Sequence, residues 1–402
     1  MTGRLTATVE SMAHGGQGVA RIDGKVHFIP DALPGATVAF EVTEDHDRWA
    51  RGRLLEVIEG GPFVATPVCR HAFECGGCQW QQADLQAQRD WKRRIVIEQL
   101  ERIGRIEDPP VNLAKGVGTP YGYRNRMDFD VAPAGGLALH RRRSDELVTV
   151  AECPVIHPTI EQLLAVSDFQ GQGRVTLRAG IRTGDRLIVI GGDLPEAAPA
   201  WGAPVCRVER GRAVALLGDP WIHETVAGMR LRISASAFFQ NNTDGADALA
   251  ELVAEAADRG GTLIDLFAGG GLFSCTVGRR FDRVVAVESG ALAVSDLRHN
   301  TLGLDHVEVQ ALDVGKASEV LGAHPGSTVI ADPPRVGLGR RGVSVILRAD
   351  PARIVLVSCD PGSLGRDAKL LNEGGYRLVE ATPLDMFPQT FHVEVVSRFE
   401  PA

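Results

Sequence analysis

Five short apolar, β-branched runs in the last third of the chain constrain its fold most, because each ends in a polar or glycine-rich turn. They are Thr262–Leu266 before Gly269-Gly270-Gly271, 284–287 before Glu288, 307–310 before Asp313, Thr328–Ala331 before Asp332-Pro333-Pro334-Arg335, and 354–358 before Cys359-Asp360-Pro361. Such strand-like runs, with a helix between successive ones, read as the strands of an open α/β sheet, and such sheets bind ligands outside the carboxyl ends of their strands. The carboxylate of Asp332 and the thiol of Cys359 are thereby expected to share one pocket, with Cys359 as a candidate nucleophile. Glycines 269–271 let the backbone approach a ligand closely, and Glu288, about 20 residues on, is placed to accept from ribose hydroxyls.

A dinucleotide would satisfy much of that turn. The form Asp265-x-Phe267-x-Gly269-x-Gly271, followed by Asp313 and then Asp332 after the next strands, favours S-adenosylmethionine instead. This order resembles the class I methyltransferases, whose domain is Rossmann-like. Asp313 is expected at the adenine end.

Upstream, residues 1–60 alternate in five short runs, 5–9, Gly18–Ile22, 26–29, 37–43 and 53–58, punctuated by Gly15-Gly16, Asp23-Gly24 and Pro34-Gly35. That is the pattern of a small barrel of the oligonucleotide-binding kind. Cys69-x5-Cys75-Gly-Gly-Cys78, with a later Cys153-Pro154, then brings thiols and flexible glycines together, which suits a soft metal. Residue types leave zinc and an iron–sulfur cluster both open. Residues 84–103 have a helical stripe of Leu85, Trp91, Ile95 and Leu100, with Arg89, Lys92, Arg93 and Arg94 at polar positions. Strands follow that carry Arg124, Arg126 and Arg141 to Arg143 beside Tyr121 and Tyr123, types suited to phosphate contact and base stacking. Further strands are expected at 174–180, 186–191, 207–216 and 229–233, with Cys206 as an apolar filler. The expected organisation is a barrel over 1–60, a central α+β domain over 61–235 and a methyltransferase domain over 236–402.

A net charge of −8 excludes a protein whose whole surface binds nucleic acid by charge, while leaving room for a local basic path. With 44% hydrophobic residues and no apolar run of signal-peptide or membrane-spanning length, the expectation is a cytoplasmic monomer with no membrane partner.

Two resemblances sharpen these readings. Residues 16–38 resemble the TRAM domain, a small RNA-binding barrel. The cysteine motif with QWQQADLQAQRDWKRRIV, Phe238-Phe239-Gln240-Asn241-Asn242, Asp265-Leu-Phe267, Asp332-Pro-Pro-Arg335, Ser358-Cys359-Asp360-Pro361 and the closing FPQTFHVE resemble the RNA uracil-5 methyltransferases along nearly the whole chain. That resemblance implies a [4Fe-4S] cluster on Cys69, Cys75, Cys78 and Cys153, and a cofactor and base region lined by Gln240, Phe267, Glu288 and Asp332. It also implies Cys359 as nucleophile, Glu394 as general base and RNA, most closely 23S ribosomal RNA, as substrate. Leu272 departs from the family's usual asparagine. The alternatives are a transfer-RNA uracil-5 enzyme, a cytosine-5 enzyme, and a non-catalytic RNA-binding protein whose cluster senses redox state.

Overall fold

A computed structural model describes residues 4–133, 135–166 and 169–402. The first five strands, Arg4–Met12, Gly18–Ile22, Lys25–Ile29, Thr37–Asp45 and Trp49–Glu59, close into a barrel in the order first, second, third, fifth, fourth. Asp23 and Gly24 both take positive φ, 49° and 79°, the turn whose twist matches a hairpin. Val9, Ala20, Ile29, Val38 and Phe40 fill the interior.

A seven-stranded sheet follows, ordered Arg212–Leu217, Val205–Glu209, Arg186–Ile190, Arg174–Ala179, Arg126–Val131, Leu137–His140, Leu147–Thr149. The run expected as one strand over 207–216 is two, because Arg210 and Gly211 turn the chain with φ of 48° and 75°. Ala227 and Gly228 do the same between Trp221–Val226 and Met229–Ser234, a hairpin whose first strand the sequence reading missed.

The C-terminal sheet has Thr262–Leu266 in the middle, Arg283–Glu288 and Val307–Ala311 on one side, and Thr328–Ala331 and Arg353–Ser358 on the other, all parallel. Glu394–Pro401 then joins antiparallel to Arg353–Ser358, and Tyr376–Asp385 lies outside it. The strand order reverses between Thr262–Leu266 and Thr328–Ala331, so the ligand crevice opens there. The fold is thus α/β with a closed N-terminal barrel, as expected.

Part of segment 61–235 packs against the C-terminal sheet. Helix Leu85–Arg102, capped by Asp84, lies on helix Pro361–Glu373 and strand Tyr376–Asp385, and its Val96 and Leu100 join the core of the C-terminal sheet. The helices approach closely because Gly365 has no side chain: a Cβ there would lie 2.7 Å from the Gln99 carbonyl oxygen. Lys92, expected on a polar face, is fully buried and paired with Asp385, with a further bond to the Phe387 carbonyl of 3.1 Å. Burial of the ammonium lowers its pKa, and the Asp385 carboxylate offsets that cost. Among the described residues no helix is long and apolar enough to cross a membrane.

Candidate active site

Register alone brings the expected residues together. Antiparallel pairing of Arg353–Ser358 with Glu394–Pro401 ends at Ser358 opposite Val395, so Cys359 and Glu394 occupy the next step on neighbouring strands. Asp332 follows Thr328–Ala331 on the other side of the Cys359 strand, and its N–H points to the Leu266 carbonyl at 3.4 Å. Phe267 and Glu288 follow the adjacent pair Leu266 and Val287. Four strand ends therefore deliver a thiol and several carboxylates to one rim.

The carboxylates interact strongly. Burial, the Asp332 charge beside it and too little relief from Arg335 push Glu394 well above the ordinary carboxylate value. Burial and Asp265 push Asp332 up to about 7, and burial likewise carries Asp265 to about 7 although the Ser274 hydroxyl donates to it at 2.5 Å. Burial, then Glu394 and Asp332, push the Cys359 thiol up to about 12, against the pull of Arg335. His392 accepts a 3.3 Å bond from Arg335, and burial with that cation drives its pKa down to about 3. His392 is therefore neutral, and Arg335 supplies the positive charge facing the thiol. A cleft of about 30 Å³ at this rim is lined by His14, Arg335, Cys359, Asp360, Phe391 and His392, among others.

The cofactor side is built from backbone donors. Glu288 accepts from Gly269 N at 2.9 Å with one oxygen, and from Ser289 N and Gly290 N at 2.7 and 2.6 Å with the other. Its carboxylate is thus fixed at the lip of the glycine turn. Phe267 takes φ of 61° and Gly269 55°, and a Cβ on Gly269 would meet nothing within 4 Å, so the turn is open toward the crevice. Among the described residues Asp265 Oδ1 is buried with no side-chain or backbone partner at hydrogen-bond geometry, while Ser274 holds the carboxylate's other side. Glu288, so placed at the lip of the turn, fits the ribose hydroxyls of S-adenosylmethionine. Leu272, which stands where the family usually has asparagine, is buried in the core. Asp313 is exposed beyond the outer strand, where it caps a short turn by accepting from Gly315 N at 2.9 Å.

Several supporting residues escaped the sequence reading. Buried Asn125 donates to the Gln240 carbonyl and to Thr243 Oγ1, each at 3.0 Å, and buried Arg178 donates to the Ser234 and Ala237 carbonyls at 3.1 and 2.8 Å. Together they hold the segment that carries Phe238 and Gln240. Phe238 projects into solvent at 67% exposure while Phe239 is core. Helix Thr243–Ala256 is capped by Asn242, whose side chain accepts from Gly245 N at 3.0 Å. Gln389, with φ of 71°, is locked by Gln88, which accepts from its N–H at 2.8 Å.

The four upstream thiols, Cys69, Cys75, Cys78 and Cys153, line a separate cavity of about 890 Å³ that also takes in Arg124 and Arg142. All four are free thiols, and among the described residues no three such groups are drawn into a metal-holding arrangement. Cys69 and Cys75 sulfurs each accept a backbone N–H, from His71 at 3.4 Å and Gly77 at 3.3 Å. Burial pushes the Cys153 thiol up to about 12, with the other three adding to it. Arg142, expected to face RNA, is instead a brace that pairs with Asp31 of the barrel and donates to the Ala72 and Cys78 carbonyls at 2.9 and 2.7 Å. Tyr123 is likewise buried, donating to the Pro388 carbonyl at 3.0 Å.

The chain is similar to known proteins along nearly its whole length. The TRAM domain family matches residues 3–55, and the tRNA (Uracil-5-)-methyltransferase family matches residues 219–398. An uncharacterized RNA methyltransferase of Gloeobacter violaceus is 33% identical, covering 98% of this chain and 96% of that one. One of Streptomyces avermitilis is 31% identical, covering 97% and 96%. The crystal structure of Pyrococcus abyssi tRNA (uracil-54, C5)-methyltransferase in complex with S-adenosyl-L-homocysteine superposes with a TM-score of 0.78 at 25% identity, over 98% of this chain and all of that one. A barrel of the TRAM kind, a methyltransferase sheet with its cofactor turn, and relatives matched from end to end converge: this chain belongs to the family of S-adenosylmethionine-dependent RNA uracil-5-methyltransferases.

Proposed function

We propose that this enzyme methylates carbon 5 of a uridine through a transient bond between Cys359 and carbon 6 of the ring, with Glu394 as the base that completes the reaction. The observation that carries this reading is the placement of Cys359 and Glu394 one step beyond the Ser358–Val395 pair, beside Asp332. Carbon 5 of uracil is too weak a nucleophile to attack a methylsulfonium. Addition of the Cys359 thiolate to carbon 6 makes an enolate whose charge reaches carbon 5. S-adenosylmethionine, when bound, supplies the electrophilic methyl group. Glu394 then removes the carbon 5 hydrogen as a proton, which lets the thiolate leave and restores the ring double bond. Its raised pKa suits it to take a proton near neutrality. Asp332 and Gln240 hold the uracil edge, and Phe238, free in solvent, fills the stack that the flipped base vacates.

We assign the substrate to ribosomal RNA, on the resemblance of the barrel and cysteine motif. Transfer RNA is the second reading, favoured by the end-to-end match to the Pyrococcus abyssi enzyme. Cys69, Cys75, Cys78 and Cys153 are assigned a [4Fe-4S] cluster, since four soft donors and two N–H···S bonds suit one. Its role is structural or RNA-orienting, because the polar mechanism needs no electron transfer; metal analysis separates it from zinc. The enzyme is placed in the cytoplasm, as a monomer. With 5-fluorouridine RNA and cofactor, where a fluorine blocks proton removal, the parent enzyme should form a covalent adduct that Cys359→Ala abolishes. An RNA that is methylated as its uridine form yet leaves no adduct as its fluorouridine form overturns the covalent route. Mapping 5-methyluridine lost on deletion of the gene identifies the RNA.

A further inference from the structure

We propose that His14 of the N-terminal barrel is a positioning residue of the catalytic pocket, holding through Asp360 the turn that carries Cys359. The inference rests on Cys359 being the nucleophile. His14 sits in the loop of residues 13–17, which Gly15 and Gly16 turn with φ of 97° and 80°. That loop is pinned on two sides. A Cβ on Gly16 would lie 2.9 Å from the Phe391 ring, and buried Trp80 donates its indole N–H to the Gly16 carbonyl at 3.1 Å.

From this seat, His14 Nε2 meets Asp360 Oδ2 at 3.0 Å, with 35% of the His14 and 28% of the Asp360 side chain exposed. The other oxygen, Oδ1, caps helix Pro361–Glu373 by accepting from Ser363 N at 2.7 Å. Both oxygens of the residue after Cys359 are thus fixed, one by the helix and one by the barrel. The His14 bond is the main reason that the Asp360 carboxyl falls to about 2. An ionised carboxylate only accepts, so Nε2 carries the hydrogen. The charged groups that act on the Cys359 thiol are Glu394, Asp332 and Asp360, which push it up, and Arg335, which pulls it down. The His14 N–H dipole, aimed at the Asp360 carboxylate, partly screens one of the three charges that oppose thiolate formation.

The test uses the full-length enzyme as His14→Ala, His14→Gln, Asp360→Ser and the double variant His14→Ala with Asp360→Ser. Serine keeps the helix cap but is too short to reach His14, and glutamine can still donate to Asp360. Methyl transfer should lose about five- to tenfold in kcat in His14→Ala and Asp360→Ser alike, as for a partly exposed bond to a charged group. KM and RNA affinity should stay within about twofold, the double variant should fall no further than the worse single one, and His14→Gln should recover most of the loss. Without RNA, alkylation of Cys359 by iodoacetamide, read on its own peptide, should shift to higher pH in His14→Ala. Multiplying effects, an unchanged kcat, or a loss confined to RNA affinity would overturn the proposal. If no fluorouridine adduct forms, the covalent reading fails separately, and an alkylation profile unmoved in His14→Ala and Asp360→Ser overturns this one. Should His14→Ala not fold, Asp360→Ser and His14→Gln decide the matter by the same readouts.

Discussion

Two sites in this protein use cysteine, and their neighbours set them apart. Around Cys69, Cys75, Cys78 and Cys153 the nearest charges are other thiols together with Arg124 and Arg142, inside a cavity of about 890 Å³. Around Cys359 they are Glu394, Asp332 and Arg335, beside a cleft of about 30 Å³. Burial raises the thiol pKa in both places. On the proposed reading, the four thiols, with their cationic and N–H partners, would lose their protons to a bound cation. On the same proposed reading, the single thiol among carboxylates serves addition and elimination on a ring, where a base is needed at the end. Residue type is shared; the surrounding charge decides the chemistry.

The sharpest way to break this comparison is to exchange the losses. Cys359→Ala should lower methyl transfer on the order of 10⁴-fold or more, as removal of a covalent nucleophile does, with the fold and RNA binding intact. Turnover with retained rate would end the distinction between the two sites. Glu394→Gln should cost about 10²- to 10⁴-fold in turnover, the range for a lost general base. Because burial and Asp332 raise the Glu394 pKa, the acid limb of the parent kcat profile should lie above the ordinary carboxylate range, and that limb should vanish in the variant.

Cys75→Ala tests the other side. It should weaken stability, metal content and RNA binding while leaving the pH profile of Cys359 alkylation unmoved. If folding and RNA binding survived and methyl transfer stopped, the structural role assigned to that site would fall.

Asp332→Asn gives the smallest effect, read as stability against pH. Asp332 is held up to about 7 in the fold against an ordinary 3.8. Between those values the folded state keeps a proton that the unfolded state has lost, so the stability it contributes is full below the lower value and disappears as pH rises through the upper one. The variant's melting temperature, relative to the parent, should therefore climb as pH rises from about 4 to about 7. A flat difference would show that burial and Asp265 do not hold the Asp332 carboxyl up.

How much of this was legible in the chain follows from the range of each interaction. Four of the five parallel strands could be read because burial on both faces leaves largely apolar runs, the edge strand Val307–Ala311 because its valines alternate with polar residues, and the cofactor turn because glycine and aspartate fall at fixed offsets. Cys359 and Asp332 could be placed because they end such runs, whereas Glu394, at the start of an antiparallel strand, rested on the resemblance alone. Asn125, Arg178 and Gln389 could not, since each acts on a backbone group distant in sequence and so leaves no local pattern. Lys92 was misread for the same reason: its partner Asp385 lies on another element, and a charge within a basic helix resembles a solvated face. Arg142 and Tyr123, types that suit RNA, brace the fold from within.

The central claim is that Cys359 and Glu394 act in turn on one ring, and intact mass measurement of the Glu394→Gln enzyme tests it most directly. Incubated with uridine RNA and S-adenosylmethionine, that variant should hold an RNA adduct on Cys359 that has gained one methyl group, because proton removal from carbon 5 is the step that has been lost. Methylated RNA released free from the variant at the parent rate, with no adduct on Cys359, would contradict it.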